Sequence, residues 1–383
     1  MHSPRVDPRA LEALARAHID PRLSRVRPSR LPTRRLLEIQ AELQSLANDW
    51  LRGAECHPAV LGYGYGVRWE DGQPGEQPVF HVFSRHTIDL GAHGPAGLFP
   101  PEFRQIVTLT VTRDPDEVRE RGDDTVAIEV LEPVVPLIAP GLDAGSLRGR
   151  RRTLVGGCSV GHPAVTAGTL GIRVFDDARG ADASARAFAL SNCHVFAADP
   201  SRPVKGAPVL HPATADCGDA RRDVVAHVVD AEALRVGLAM PNRMDAAIAE
   251  MNDPAALDAG VAGLGEVPCW RAVDDLPIGV VVAKAGRTTG MTFGVVKAVG
   301  VTYKIDYNLG GPLLFTGQIL TTHLAMGGDS GAVLLALGGP LSVAGLILGG
   351  SRDVTLATPI DDVQQRFDVL SARERWTSAA RGH

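Results

Sequence analysis

The spacing of apolar residues changes along the chain, and the first regular pattern is helical. Between residues 33 and 52, apolar side chains recur every three or four positions, which predicts an amphipathic helix that begins near Thr33. The apolar stripe of that helix consists of Leu36, Ile39, Leu43, Leu46 and Trp50. The next segment, "VLGYGYGVRWEDGQPGEQPVFHVFSR", predicts two strands joined by a turn that contains glycine and proline. Apolar runs at 105–112 and 125–133 complete a small α+β region over residues 34–138.

From residue 153 onward the pattern becomes one of short apolar runs separated by glycine turns. Runs such as "AGTLGIRVF", "AFALSNCHVFA", "GVVVAKAG" and "SVAGLILGG" have the length and composition of strands. No strong helical period follows until "PIDDVQQRFDVL" near the end of the chain. We therefore expect residues 153–370 to form an all-β barrel or sandwich with a single helix at its C-terminal end.

Three segments show neither pattern. Residues 1–33 are rich in arginine and proline, and we expect them to be flexible, with at most one short helix. The stretch "APGLDAGSLRGRRR" at 139–152 has the glycine, proline and arginine content of a linker. Residues 371–383 follow the last helix and are expected to form a tail.

Composition narrows the classes of function. Of the 383 residues, 45% are hydrophobic and 22% are charged, and the net charge is −5, which suits a protein with a substantial core. The densest basic cluster, "RGRRR" at 148–152, is short and lies in the linker, so we expect no nucleic-acid partner. No apolar run reaches the length of about 18 residues that a membrane-spanning helix needs, so we expect no membrane contact.

The cysteines and the first residues bear on the compartment. Five cysteines, at positions 56, 158, 193, 217 and 269, are scattered along the chain without CxxC spacing. This pattern is typical of reduced thiols rather than of a disulfide scaffold or a zinc site, so we expect no metal. The start, "MHSPRVDPRALEALARAHID", lacks the apolar core of a signal peptide, and we expect a cytoplasmic protein.

One motif late in the chain carries candidate chemistry. "MGGDSGAVLL" at 326–335 places Ser330 between glycine-rich residues and an apolar run. A serine hydroxyl becomes a nucleophile when a base takes its proton, and a carboxylate improves that base by orienting it. "LSNCHVFA" places His194 at the end of an apolar strand, and "NRMDAAIAEM" places Asp245 at the start of another. Taken singly, the three residues are more often a turn serine, a core histidine and a strand-end cap.

Their order along the chain, His, Asp, Ser, separates two scaffolds that use such a triad. An α/β-hydrolase has the order Ser, Asp, His, with a GxSxG turn between a strand and a helix. Here Ala332 stands where the second glycine of that pattern would be, and the residues after it predict a strand. Order and motif together exclude the α/β-hydrolase scaffold.

The combined motifs resemble those of the trypsin-like, chymotrypsin-fold serine peptidases, and more closely a bacterial and plant subgroup, the narrow-leaf type. The resemblance covers about residues 153–370 and rests on "GGCSVGHPAVTAGTLGIRVF", "LSNCHVFA", "RMDAAIAE", "KAGRTTGMTFGVV" and "GGDSGAVL" in that order. It implies two six-stranded β-barrels with a C-terminal helix, preceded by the small α+β N-terminal region. "GYGYGVRWEDG" resembles, more weakly, the N-terminal extension that such proteins often carry.

The resemblance also implies a role for each residue of the motifs. Ser330 is the nucleophile, His194 is the general base and acid, and Asp245 is the carboxylate that orients the imidazole. The backbone amides of Gly328 and Ser330 form the oxyanion hole, since glycine lets the loop fold tightly enough to aim both at one point. Neither a metal nor an organic cofactor is required.

Substrate contacts follow from the same resemblance. The segment "GLILGG" at 345–350 is expected to pair with the substrate backbone through Leu348, Gly349 and Gly350. Leu324 falls at the floor of the specificity pocket, and an apolar floor favours small to medium apolar side chains.

We therefore expect a serine endopeptidase that cleaves protein or peptide substrates through an acyl-enzyme. Two alternatives stay open: a protease-fold interaction module with little turnover, and an esterase that uses the same triad. "RRRTLVGG" at 150–157 resembles the cleavage site of trypsin-like zymogens, and this resemblance implies activation in which a new N-terminus near Leu154 pairs with Asp329. Cleavage after Arg152 would leave Thr153 first rather than an apolar residue, so we expect the intact chain to be competent.

Overall fold

The protein is mostly β, with few helices. The computed structural model describes residues 7–53, 56–84, 127–129, 144–176, 186–267, 269–307, 309–351 and 353–370. Its helices are α1 (Pro8–His18), α2 (Thr33–Arg52), α3 (Ala144–Arg148), α4 (Cys193–Phe196) and α5 (Ile360–Phe367). The expected β-rich class and the helix near the C-terminal end are thereby confirmed.

The strands fall into three stretches of the chain. The first stretch holds β1 (Val60–Glu70), β2 (Gln73–Ser84) and β3 (Ala127–Glu129). The second holds β4 (Leu154–Gly156), β5 (Ser159–Val160), β6 (Gly168–Thr169), β7 (Ile172–Asp176), β8 (Phe188–Ser191), β9 (Pro208–Leu210), β10 (Val224–Ala231), β11 (Gly237–Asn242), β12 (Ala247–Met251), β13 (Leu257–Val261), β14 (Gly265–Glu266) and β15 (Cys269–Trp270). The third holds β16 (Val281–Gly286), β17 (Gly290–Asp306), β18 (Pro312–Thr322), β19 (Val333–Ala336), β20 (Ser342–Gly350), β21 (Val354–Pro359) and β22 (Val369–Leu370).

Two large sheets organise the described strands. The smaller is a six-stranded sheet in the order β22-β7-β8-β12-β10-β9, in which β22 joins five strands of the second stretch. The larger is an 11-stranded sheet with the path β11-β18-β21-β20-β19-β16-β17-β1-β2-β3, to which β15 adds by pairing with β20. Strands from other parts of the chain thus extend both sheets, and the expected number of six strands in each barrel stays a prediction. Below, the first half of the β-region means residues 154–270 and the second half means residues 281–370.

The N-terminal hairpin belongs to that larger sheet. The helix α2 begins at Thr33, and β1 and β2 pair antiparallel, so the predicted helix and hairpin are confirmed. Strand β1 also pairs antiparallel with β17, with Gly62 opposite Tyr303 and Gly66 opposite Ala298. The regions that we predicted as 34–138 and 153–370 thus share one sheet, because the exposed edge of β17 is completed by the N-terminal hairpin.

Both N-terminal helices are packed against the β-region. The α2 stripe is buried except for the half-buried Leu46, and it shares one apolar cluster with residues that follow Ser330, such as Ala332 and Leu334. The helix α1 buries Leu11 and Ala15 in a second cluster. Residues 1–33 were expected to contain at most one short helix, and within the described part of that range α1 is this helix. Its apolar side chains have a surface to cover, which composition alone does not reveal.

Other expected segments have mixed outcomes. The run at 105–112 and the tail at 371–383 lie outside the described residues, and the run at 125–133 is described only at β3. The linker contains the short helix α3. All five cysteines are free thiols. Among the helices of the described chain, none combines the length and the apolar character needed to cross a membrane.

Candidate active site

His194 lies on a helical turn at the end of a buried strand. Strand β8 ends at Ser191, and the chain then turns into α4, which contains His194 and ends at Phe196. The neighbouring side chains Cys193 and Val195 are buried, whereas the His194 side chain keeps 23% of its surface exposed. The apolar residues of the turn therefore anchor it in the core and leave the imidazole partly exposed.

Asp245 is the partner of this imidazole. Strand β12 pairs with β8, with Ala247 opposite Ser191, which brings the residue two positions before β12 beside His194. Oδ2 of Asp245 is hydrogen-bonded to Nδ1 of His194, and Oδ1 accepts from the His194 backbone amide at 3.2 Å. A carboxylate only accepts hydrogen bonds, so Nδ1 carries the proton and the lone pair of the neutral imidazole lies on Nε2. This is the tautomer that a general base needs.

A tyrosine from the second half completes the surroundings of Asp245. Tyr307, the residue after β17, donates its hydroxyl to Oδ2 of Asp245 at 2.9 Å. Its ring stands at 83° to the His194 ring, with 5.2 Å between centroids. The Asp245 side chain is fully buried by these contacts.

Ser330 lies on the loop between β18 and β19, which leans against the first half. The backbone amide of Thr169 donates to the Ser330 carbonyl at 2.8 Å, and Ser191 Oγ donates to the Thr169 carbonyl at 2.7 Å. Since Ser191 comes three residues before His194, this chain of contacts brings the serine loop next to the histidine turn. Ser330 Oγ itself donates to the Leu348 carbonyl at 3.5 Å, and the described residues include no hydrogen bond between Ser330 and His194.

The loop leaves two amides without acceptors. In the described part of the chain, neither the Gly328 nor the Ser330 backbone N–H donates to a protein acceptor, whereas Asp329 N between them donates to the Met326 carbonyl. Gly328 has φ of +93°, and a Cβ there would lie 2.4 Å from Thr288 Oγ1. Glycine is therefore required at this position. Two free amides that flank one residue are the geometry from which an oxyanion hole is built.

Asp329 holds this loop from inside the protein. Its carboxylate is fully buried and accepts from Lys284 Nζ at 3.1 Å and from Thr289 Oγ1 at 2.6 Å. The backbone amides of Thr288, at 2.8 Å, and Met326, at 3.0 Å, also donate to it. These four contacts fix the position of the loop around Asp329.

Burial and charge shift the pKa values of the Asp329–Lys284 pair in opposite directions. Burial alone would raise the pKa of the Asp329 carboxyl, but the Lys284 ammonium, the Thr289 hydroxyl and the backbone amides together hold that pKa below its usual value. Burial lowers the pKa of Lys284, an effect that the Asp329 carboxylate opposes. The two charges therefore depend on each other, since each is fully buried.

A second ion pair joins the two halves beside the loop. Arg287 donates to both carboxylate oxygens of Asp216, each at 2.7 Å, and its backbone amide donates to Thr169 Oγ1 at 3.0 Å. Thr169 Oγ1 in turn donates to the Gly328 carbonyl at 2.8 Å. The bidentate geometry of Arg287 with Asp216 is that of a structural ion pair.

The expected substrate strand has one open edge. Beyond Leu346, strand β20 pairs only with β21 among the described strands, so Leu348–Gly350 is unpaired on its other side. Around an added Cβ at Gly349 there is open space, whereas one at Gly350 would lie 2.3 Å from the Val354 carbonyl. Leu348 is buried and offers its carbonyl towards Ser330 Oγ.

Leu324 lies next to Thr355, the residue of β21 that pairs with Gly350. Its side chain is fully buried in the same apolar cluster as α2, and its backbone contacts Thr292 Oγ1 and Thr355 Oγ1. The assignment of Leu324 to the pocket floor stays a prediction.

Sequence reasoning missed two side chains of the site. No role was predicted for Lys284. A lysine in the apolar run "VVVAKAG" nevertheless indicates a buried charge that needs a carboxylate partner. Tyr307 had no comparable signal, since it is one aromatic residue beside a glycine turn, and only the fold brings it to Asp245.

Comparisons with known proteins find that this chain is similar to several solved structures. No protein-family model and no curated protein matches the sequence. The chain is similar to a Nocardiopsis protease (NAPase), with 16% identity, coverage of 57% of this chain and 98% of that one, and a TM-score of 0.40. It is also similar to Thermobifida fusca protease A (17% identity, 57% and 97% coverage, TM-score 0.40) and to Cellulomonas bogoriensis chymotrypsin (20% identity, 57% and 98% coverage, TM-score 0.38).

Proposed function

We propose that this protein is a serine endopeptidase that uses Ser330, His194 and Asp245. The observation that carries the proposal is the His194–Asp245 pair, which lies beside a serine loop whose two flanking amides have no acceptor. A base in the correct tautomer, a serine next to it and an unoccupied pair of donors are the three parts that acyl transfer needs.

The chemistry follows from the atoms available. His194 Nε2 takes the Ser330 hydroxyl proton as Oγ attacks the substrate carbonyl carbon, and the resulting oxyanion accepts from the amides of Gly328 and Ser330. The imidazolium, held by Asp245, gives its proton to the leaving amine, which departs and leaves an acyl-enzyme. Water then attacks the acyl carbon by the same proton route and regenerates the hydroxyl.

This series of reaction steps requires the Ser330 hydroxyl to rotate away from the Leu348 carbonyl and towards His194. The change is a rotation about one side-chain bond, and catalytic hydrogen bonds are often long or absent until substrate is bound. When the hydroxyl leaves, the Leu348 carbonyl becomes available at the edge of the substrate strand.

An extended peptide is the substrate that fits the open edge. The unpaired side of Leu348–Gly350 can accept a peptide as an additional strand, with main-chain hydrogen bonds that do not depend on sequence. Open space beside Gly349 leaves room for a substrate side chain. An endopeptidase fits this geometry better than an esterase, because a simple ester offers no backbone for the edge to bind.

A fluorophosphonate probe tests the proposed nucleophile. Folded wild-type protein should be labelled at Ser330, and the Ser330→Ala variant, with the same melting temperature, should not be labelled. Wild-type protein that is folded and stays unlabelled would contradict the enzyme and would favour the protease-fold interaction module.

Cleavage of an unbiased peptide library then tests the substrate class. Peptide bonds should be cut by wild type but not by Ser330→Ala, with small to medium apolar residues preferred before the cut. Gly349→Val should raise KM much more than it lowers kcat, because the new side chain occupies the open space along the edge. Gly149→Val, at an exposed glycine with the same open surroundings after α3, is the matched control.

A further inference from the structure

Tyr307 reaches the proposed catalytic pair from the opposite half of the protein. Strands β17 and β18 form a long hairpin in the 11-stranded sheet, and Tyr307 is the first residue beyond β17. Asp245 and His194, by contrast, follow the pairing of β8 with β12 in the six-stranded sheet. The hydroxyl of Tyr307 therefore makes its 2.9 Å contact with Asp245 across the junction between the two halves.

The ring of Tyr307 contacts two other rings. It meets the His194 imidazole in an edge-to-face arrangement and stacks on Phe315, with 5.7 Å between centroids and 25° between planes. Phe315 belongs to a buried apolar cluster that also contains Leu348. The phenol is thus packed in one orientation, and its contact with His194 limits the orientations open to the imidazole.

The Tyr307 hydroxyl donates to the Asp245 carboxylate, which has few other hydrogen-bond donors among the described residues. Among the described residues, Asp245 makes no contact with a lysine or arginine, and its side-chain oxygens accept from the His194 ring, the His194 amide and Tyr307. Burial and the nearby Asp245 carboxylate both raise the pKa of Tyr307, so its hydroxyl stays protonated and acts as a donor. Its loss would leave Oδ2 with the imidazole alone.

We propose that Tyr307 is a positioning residue that fixes the Asp245 carboxylate and, through it and through ring contact, the orientation of the His194 imidazole. The proposal rests on the proposed function for its catalytic consequence, but its structural part is independent of turnover. Among the described residues, Tyr307 makes no hydrogen bond to Ser330, and its contacts with Asp245 and His194 place its effect on proton transfer rather than on substrate binding.

Substitution of the hydroxyl alone separates this role from general packing. Tyr307→Phe keeps the ring and removes one hydrogen bond to a charged group, so kcat should fall about 10- to 100-fold with KM little changed. Tyr307→Leu, which also removes the ring contact, should lower kcat further. The matched control is Tyr65→Phe, because Tyr65 is a buried tyrosine of β1 whose hydroxyl has no protein partner in the described structure.

A spectroscopic readout makes the test independent of activity. The Nδ1 proton of His194 should give a low-field ¹H NMR resonance that is absent from His194→Ala. It should shift in Tyr307→Phe and stay unchanged in Tyr65→Phe, with melting temperatures showing that each protein is folded. If wild type proves inactive, the proposed function fails, and the shift alone still decides whether Tyr307 positions the pair. The proposal would be overturned if folded Tyr307→Phe gave the same His194 resonance as wild type. Where wild type is active, the variant would in that case also have the wild-type kcat.

Discussion

Two aspartates of this site are fully buried, and they are surrounded in different ways. Asp245 accepts from the His194 ring and amide and from the Tyr307 hydroxyl. Asp329 accepts from a buried lysine ammonium, from Thr289 and from backbone amides. One carboxylate therefore faces a base that can gain and lose a proton, whereas the other faces a fixed cation.

The difference assigns different tasks to the two charges. A carboxylate beside a neutral imidazole is incompletely compensated, and it stabilises the imidazolium that forms when the imidazole takes a proton. A carboxylate paired with Lys284 is already compensated, so its contribution is to hold the chain around Gly328 and Ser330 in place. We expect substitutions at Asp245 to act mainly on the rate and those at the Lys284–Asp329 pair to act mainly on stability.

The largest effect is expected at the catalytic carboxylate. Asp245→Asn should lower kcat by about 10⁴-fold, because the amide favours the wrong imidazole tautomer, while the melting temperature changes little. Steady-state kinetics and thermal unfolding measure the two effects. A fall in stability large enough to explain the loss of rate would remove the distinction between the two aspartates.

The nucleophile and base should behave as one unit. Ser330→Ala and His194→Ala should each abolish most activity, and the double variant should lose little more, because both residues act in the same step. Kinetics of the two single variants and the double variant form the complete cycle. Additive losses would argue that Ser330 and His194 do not share a step.

The next effect is on stability. Lys284→Met should lower the free energy of unfolding by about 3–5 kcal/mol, because the Asp329 carboxylate is left buried without its cation. Denaturant unfolding measures this, and Lys205→Met, at an exposed lysine, is the control, with an expected change within about 0.5 kcal/mol. Equal stability of the two variants would show that Asp329 does not depend on Lys284.

Acid should weaken the same pair. The pKa of Asp329 in the folded protein lies below its ordinary value of 3.8, so its stabilisation is complete above about pH 4 and is lost as the pH falls through the folded pKa. The stability difference between wild type and Asp329→Asn should therefore narrow as the pH is lowered from 5 towards 3. Urea unfolding of both proteins at each pH measures it, and a difference that is constant with pH would contradict the ionised pair.

The smallest effect is expected from cleavage before the first β-region. Lys284 already supplies the cation beside Asp329, and Leu154 is buried in β4, which pairs with β13. We therefore expect the intact chain to react with a fluorophosphonate probe at the same rate before and after limited proteolysis near Arg152. Intact mass and N-terminal sequencing of the labelled protein decide this. Labelling confined to chains that begin near Leu154 would favour activation by cleavage.

Some elements of this fold could be predicted from the local spacing of apolar residues, because that spacing favours one secondary structure over another. The stripe from Leu36 to Trp50 repeats with the helical period, and α2 begins at the predicted Thr33. The packing of α1 and the pairing of β1 with β17 could not be predicted in the same way, because β16 and β17, which they contact, lie more than a hundred residues away in the chain. The length of an edge strand does not reveal what will cover it.

The features of the site can also be separated into those that the sequence predicts and those that depend on contacts between distant residues. The sequence by itself determined the β-rich class, the helix near the C-terminal end, and the residue types at 194, 245 and 330 on which the proposed chemistry depends. Only the tertiary structure decided that Asp245 shares one oxygen between His194 and Tyr307, and that Lys284 rather than a new N-terminus lies beside Asp329. The reason is physical: residue types set what chemistry is available, whereas distances and burial, which set how strongly charges interact, arise only when distant strands are brought together.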